Sequence, residues 1–454
     1  MKNLTLGNIA SACGAIYTGP QELKDFVVTA ITTDSRKATD GCLFVAIKGE
    51  RVDGHKFIPQ VMEKGAVAVL SEKDLEDGTP YIRTDSSLQA VKDIAEFYLQ
   101  QLDIPVVGIA GSVGKTSTKE MTACVLQQKY RVLKTEGNFN NELGVPLTIF
   151  RLRDEDELAV LEMGISDFGE MHRLAKIVRP NTSIMTNIGW CHLENLKSRD
   201  GILKAKSEIY DFVQSDDHII VNGDDDKLAT LKEVKGIKPI TFGLQKSNDV
   251  WADEIQSRGL KGISCRIHTG KGDFTAEIPM PGQHMVYNAL AGTAAGLVYG
   301  MELSEIKKGI ESYESLGGRF HIIETEDCMI IDDCYNANPV SMKASLDVLQ
   351  DGTGRRVAIL GDMGELGENE KGLHAEVGAY AAGLKIDTLY CVGPLMENFA
   401  KAAKEGNPAL EVKSFADVAS LIAELPSLVE KGDTILVKAS HYMQFGKIVE
   451  ALQS

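Results

Sequence analysis

Hydrophobic and polar positions alternate in three successive registers along the chain. In the first hundred residues, short apolar runs at 42–47 and 66–70 adjoin glycine or polar turn residues and predict strands. Leu6, Ile9, Ala10 and Cys13 recur at helical spacing before Gly14 and predict a short first helix. Leu88, Val91, Ile94, Ala95, Tyr98, Leu99 and Leu102 predict a longer one, capped by Ser86 or Ser87 and ended by Asp103-Ile104-Pro105. A second register starts at Pro105. Residues 106–110 read as a buried strand feeding a glycine loop and then a helix from about Thr116 to Gln128. Apolar strands at 158–163, 183–186 and 218–221, separated by helix-sized stretches, predict a parallel sheet with helical crossovers. The segment 240–280 reads as an irregular, partly antiparallel edge. After Arg319 a third set follows at 328–331, 356–360, 388–392 and 434–437. Their outgoing ends carry Asp332-Asp333, Gly361-Asp362, Gly393-Pro394 and Lys438, where an open α/β sheet places ligand loops. The expected fold class is α/β, in three domains at 1–103, 104–318 and 319–454.

The chain has 454 residues, which agrees with about three domains at roughly 150 residues each. Its 48 Lys and Arg against 65 Asp and Glu leave a net charge of −17, which argues against nucleic acid as the main partner while allowing a local basic pocket for phosphates. Eight cysteines occur without a Cys-x-x-Cys pair, so a zinc frame is not expected and reduced thiols are. The uncharged stretch 3–21 is interrupted by Asn3, Thr5, Gly7, Asn8 and Ser11 and does not read as a signal peptide. No apolar run is long enough to span a bilayer. A cytoplasmic protein with no membrane insertion is expected, and a monomer is the default.

The sharpest chemical feature is Gly108-Ile109-Ala110-Gly111-Ser112-Val113-Gly114-Lys115-Thr116-Ser117, between a strand and a helix. Glycines let backbone amides converge on phosphate oxygens, the helix start adds partial positive charge, and Lys115 reaches the β and γ phosphates. Thr116 is then the magnesium-binding hydroxyl. Glu162, at the end of its apolar strand, reads either as a magnesium carboxylate opposite this loop or as an ordinary cap. Taken alone, His192 reads as structural and Lys206 as a solvated residue on a polar helix face. The stretch Gly137-Asn138-Phe139-Asn140-Asn141-Glu142-Leu143-Gly144-Val145-Pro146 is too glycine-rich for a helix interior and reads as a binding loop or an Asn-rich turn. In Asp332-Asp333-Cys334-Tyr335-Asn336-Ala337-Asn338-Pro339, Asp333 can grip ribose hydroxyls or orient a lysine. Arg319, after Gly317-Gly318, can approach nucleotide phosphates when domains close.

These motifs, together with Leu161-Glu162-Met163-Gly164, Thr186-Asn187-Ile188, Gly282-Gln283-His284 with Asn288, and Gly361-Asp362-Met363-Gly364-Glu365-Leu366-Gly367, resemble those of the ATP-dependent Mur ligases of peptidoglycan synthesis over almost the whole chain. Within that family the chain is most similar to the members that add D-alanyl-D-alanine to a UDP-N-acetylmuramoyl-tripeptide. The resemblance implies a small N-terminal domain for the UDP substrate, a central P-loop ATPase-like domain and a C-terminal Rossmann-like dipeptide domain. It implies that Gly111 to Ser117, Asn288, Arg319 and Asp333 meet ATP. It assigns magnesium to Thr116, Glu162, His192 and Lys206, the last as a carbamate, and catalysis to Lys115 with Glu162, His192 and Lys206. Substrate contacts fall to Ser35, Arg36, Asp53, His55, Asn140, Asn141, Asn336, Asn338 and His441. Two positions depart from the family pattern, Met285 and His441. The alternatives weighed are a Mur ligase that adds a single amino acid to a shorter peptide, a nucleotide-gated binding protein without activity, and a generic P-loop ATPase.

Overall fold

The computed structural model describes residues 1–49, 52–75 and 78–453. Three sheets follow one another along the chain. The first has the order Ile16–Thr18, Tyr81–Arg83, Ala68–Ser71, Leu43–Val45, Ile31–Thr32, parallel except for its first strand. The second has nine strands in the order Gly272–Ile278, Ile263–Thr269, Val250–Ser257, Ile240–Gly243, His218–Asn222, Thr182–Met185, Val106–Ala110, Leu158–Glu162, Val132–Lys134. The segment 240–280 is the partly antiparallel edge expected of it: Ile240–Gly243 runs parallel to both neighbours, and the last three strands form an antiparallel meander with a register shift between Asp253 and Gln256. The third runs His321–Glu324, Cys328–Asp332, Asp433–Lys438, Arg356–Gly361, Thr388–Val392, Glu411–Phe415, with only the first strand antiparallel.

The central strand Val106–Ala110 is buried throughout, as its uninterrupted apolar run requires with both sheet faces covered. Its helix Lys115–Leu126 is clasped by Leu303–Glu311 and His284–Val298. Small residues make this closeness feasible. A Cβ at Gly309 would lie 2.4 Å from Val125 Cα, and one at Gly296 would lie 2.8 Å from Ile306 Cγ1. The contact brings Asn288 beside the P-loop helix, where its Oδ1 accepts from Thr118 Oγ1 at 2.9 Å.

One continuous apolar core joins the N-terminal helix Ser87–Leu102 to the flank of the central sheet, through Ile94 and Tyr98 with Ile149 and Leu174. The C-terminal sheet keeps its own two cores, and from the central sheet's side Leu260 packs against one of them. The first two units therefore share one buried core, whereas the third keeps its own and meets the central unit's apolar side through Leu260 and Phe320. No helix among the described residues is long and apolar enough to cross a membrane.

Candidate active site

Strand register builds the site. Ile109 pairs with Glu162 on one side of the central strand, and Ala110 pairs with Met185 on the other. The loop after Ala110 therefore emerges between Glu162 and Thr186, at the carboxyl edge where open α/β sheets bind ligands. Gly111 has φ +147°, and a Cβ there would lie 1.9 Å from Thr186 Oγ1. Only glycine fits. Ser112 N donates to Asn187 O at 3.0 Å, while Asn187 takes Val113 N on its Oδ1 at 3.0 Å and donates to Val113 O at 2.9 Å. Thr186 Oγ1 donates to Val113 O at 2.7 Å. Gly114, at φ +81°, turns the chain into the helix. Lys115 Nζ folds over the loop and donates to Gly111 O at 3.0 Å. Ser117 lines the cavity beside Lys115 and Thr116.

Glu162 is buried. Its Oε2 accepts from Thr116 Oγ1 and its Oε1 from Asn140 Nδ2, both at 2.8 Å. Gly164 leaves room for that amide, since a Cβ there would lie 2.9 Å from Asn140 Cγ. The Asn-rich stretch is a loop from Gly137 to Leu143, as expected, and only its end is helical. The helix Gly144–Ile149 starts inside it, with Asn141 Oδ1 accepting from Gly144 N at 2.8 Å. Glycine is required at this helix start, because a Cβ at Gly144 would meet Phe139 Cα at 2.5 Å.

Lys206 corrects the solvated-helix reading. It belongs to the apolar stripe Ile202, Ala205, Lys206 and Ile209, its side chain is inaccessible, and its Nζ has no hydrogen-bond partner. Burial, helped by the charge of Lys115 and opposed by Cys191, lowers its pKa from 10.5 to about 8. His192, at φ 49°, heads the short helix Leu193–Leu196, lines the cavity and pairs through Nδ1 with Glu365 Oε2 at 2.9 Å.

Across the cleft, Asp333 realises the lysine-orienting alternative. Its Oδ2 receives Lys438 Nζ at 2.6 Å and Ser345 Oγ at 2.7 Å. Arg319 lies over the Tyr335 ring, 3.8 Å from its centroid, and His441 meets the same ring at 5.4 Å. Asn338 caps the helix Pro339–Leu349 by accepting from Ser341 N, and Asn336 Oδ1 accepts from Ala337 N. Met285, one of the departures, is buried with its sulfur accepting from Asn288 Nδ2 at 3.2 Å.

A single cavity of about 880 Å³ is lined by Lys115, Thr116, Glu162, Asn140, Asn141 and His192 on one side and Arg319, Asp333, Asn336, Asn338 and Lys438 on the other. Leu88 and Lys92 close it from the N-terminal helix. Ser35, Arg36, Asp53, His55, Lys206, Asn288 and His441 do not line it. In the first sheet's unit Arg36 is exposed and pairs with Asp34, holding that carboxyl at about 2, while Asp53 binds Lys73 at 2.8 Å and His55 Nδ1 at 2.6 Å. Lys64 Nζ donates to Ser35 O at 2.8 Å. Sequence reasoning quoted His284 in a motif without assigning it to the site. It lines the cavity, and burial pushes its imidazole down to about 4, with Asp333 opposing and Lys438 adding to the fall. Glu365, in the Gly361 to Gly367 motif, likewise carries no site role from the sequence.

Three family profiles match the chain in order: the Mur ligase family catalytic domain over residues 27–101, the Mur ligase middle domain over 109–296, and the Mur ligase glutamate ligase domain over 318–441. A UDP-N-acetylmuramoyl-tripeptide–D-alanyl-D-alanine ligase of Bacillus subtilis (strain 168) is 36% identical over 99% of this chain and 98% of its own length. The chain belongs to the Mur ligase family. Its three α/β units are the Mur ligase architecture. The enzyme of the same description from Escherichia coli (strain K12) is also 36% identical, over 96% of each chain. Among solved structures, MurF from Acinetobacter baumannii superposes with a TM-score of 0.89 at 33% identity, covering 99% of this Mur ligase and 98% of that chain. The MurF ligase from Thermotoga maritima in complex with ADP gives 0.83 at 28% identity, over 95% and 98%.

Proposed function

We propose that this Mur ligase joins D-alanyl-D-alanine to a UDP-N-acetylmuramoyl-tripeptide, giving the UDP-muramoyl-pentapeptide, ADP and phosphate. The reading rests on one juxtaposition: a chain similar along its full length to dipeptide-adding ligases carries a cavity whose walls come from all three units. The division of labour follows the domains at 1–103, 104–318 and 319–454, for UDP substrate, ATP and dipeptide.

The tripeptide carboxylate attacks the γ-phosphorus of ATP to form an acyl phosphate. The dipeptide amine then displaces phosphate from the activated carbonyl. Lys115 and the loop amides hold the transferring phosphates, and closure of the C-terminal unit brings Arg319 to them while excluding water. The neutral His284 and the Lys438–Asp333 pair shape the opposite wall.

Among the described residues no three His, Cys, Asp or Glu side chains gather as a metal cluster. Magnesium needs fewer, since it is commonly held by one or two carboxylates together with substrate phosphates. Thr116 Oγ1 and Glu162 Oε2, 2.8 Å apart beside the loop, fit that donor set, and His192 lines the same cavity. A bound magnesium ion would supply charge neutralisation on the phosphates. Lys206 fits conversion to a carbamate. A buried amine with a pKa of about 8 and no partner is neutral in a larger fraction than an ordinary lysine, and its lone pair adds to carbon dioxide with loss of one proton. The product would be an anion within reach of the Lys115 charge, replacing a buried cation.

Incubation with UDP-muramoyl-tripeptide, ATP, magnesium and D-alanyl-D-alanine is expected to yield the pentapeptide by mass detection, with none formed when ATP or dipeptide is omitted. Selective amide formation with glutamate, lysine or diaminopimelate would overturn the assignment. A carbamate signal from Lys206 in carbon-13 bicarbonate, lost in Lys206→Met, tests the modification.

A further inference from the structure

His192 and Glu365 form a contact between units that share little core. The loop carrying Glu365 is held on both sides of it. Met363 N donates to the buried His374 Nε2 at 2.9 Å, Gly364 N donates to Ser440 Oγ at 2.8 Å, and Leu366 is buried. Between these anchors Glu365 takes φ +61°, a left-handed conformation unfavourable for a side chain of its kind, and reaches out to His192, itself at φ 49°. Gly367, at φ +68°, brings the same loop against the helix that His192 begins, with a Cβ there 3.9 Å from Glu194 N. Two backbones in an uncommon conformation therefore meet at one carboxylate–imidazole contact across the cleft.

The atoms in contact decide what the pair can do. An ionised carboxylate only accepts, so the proton lies on His192 Nδ1. In the neutral ring, Nε2 then keeps its lone pair, and the imidazole lines the cavity. Carboxylate partners of this kind orient a histidine and fix the tautomer that binds a metal through its other nitrogen. We infer that Glu365 is a positioning residue, delivered by the C-terminal unit, that sets His192 in its metal-binding tautomer when the cleft closes. Closure and completion of the magnesium–nucleotide corner are then one event.

The inference rests on His192 as a ligand in the proposed function, so its test omits both peptide substrates. Manganese binding to the full chain with a non-hydrolysable ATP analogue, read by electron paramagnetic resonance, should weaken about tenfold in Glu365→Ala and stay within about threefold in Glu365→Gln, whose amide oxygen accepts the same hydrogen bond. In a His192→Ala background, Glu365→Ala should cause no further loss. Thermal melting of each variant reads folding directly, and the glutamine variant keeps the test decisive if the alanine variant melts early. Unchanged manganese affinity in Glu365→Ala, equal losses in the alanine and glutamine variants, or additive losses with His192→Ala would each overturn the inference. Pentapeptide formation by wild type decides the proposed function separately.

Discussion

Lys206 and Lys438 are both buried lysines of this Mur ligase, yet their surroundings are opposite. Lys438 ends the strand Asp433–Lys438 and places its ammonium on Asp333 Oδ2 at 2.6 Å, Asn336 O at 3.0 Å and Asp333 O at 3.4 Å. Lys206 lies on an apolar stripe with no partner at all. A buried cation is costly unless paired and hydrogen-bonded. One environment is built to keep its charge. The other favours losing it, which is what a carbamate-forming amine requires.

Substitution should separate the two with opposite signs. Lys438→Met strands the buried Asp333 carboxylate and should cost about 3–5 kcal/mol in urea unfolding at pH 7. Equal stability would mean that the pair is not what holds that wall. Lys206→Met removes an uncompensated cation. In carbon-dioxide-free buffer it should stabilise the fold by up to about 3 kcal/mol at neutral pH, from a fall of 10.5 to about 8 at about 1.4 kcal/mol per unit. A loss of stability would break the comparison.

The same fall sets a pH dependence. Below pH 8 the lysine is protonated in both folded and unfolded states, and the penalty is fully present. Between about 8 and 10.5 the unfolded chain binds more protons, so wild-type stability should rise relative to Lys206→Met, and the difference between them should close. Turnover moves independently of stability. Lys206→Met should lower pentapeptide formation about a hundredfold, with partial rescue by a short carboxylate, if the carbamate acts at the metal corner.

Two smaller changes sharpen the contrast. Ser345→Ala removes one hydrogen bond from Asp333 and leaves Lys438 in place, so it should cost about 1–2 kcal/mol. Arg36→Ala breaks an exposed pair with Asp34 and should leave the unfolding midpoint unchanged, because water screens such pairs. A rise in the KM for the UDP substrate in that variant would support the N-terminal assignment.

Much of the central site was legible because its chemistry is local. The run 106–117 carries strand, glycine loop, lysine and threonine in one stretch, and the end of an apolar strand places Glu162 beside it. Lys206 reads as solvated from its polar character alone, although the spacing Ile202, Ala205, Lys206, Ile209 marks it as part of the buried face. Asn140 was chosen for its loop, but its work on Glu162 follows from Gly164, whose missing side chain admits the amide.

The residue order by itself determined the strand–loop–helix units, the phosphate loop and the α/β class, since these follow from apolar periodicity and from glycines where no side chain fits. Tertiary structure decided which distant groups meet: Asp333 with Lys438, Asn288 with Thr118, and Glu365 with His192. It also decided that one lysine would be buried with partners and another without. Protonation and metal binding depend on those neighbours and on the loss of water around them, and neither is encoded at any single position in the chain.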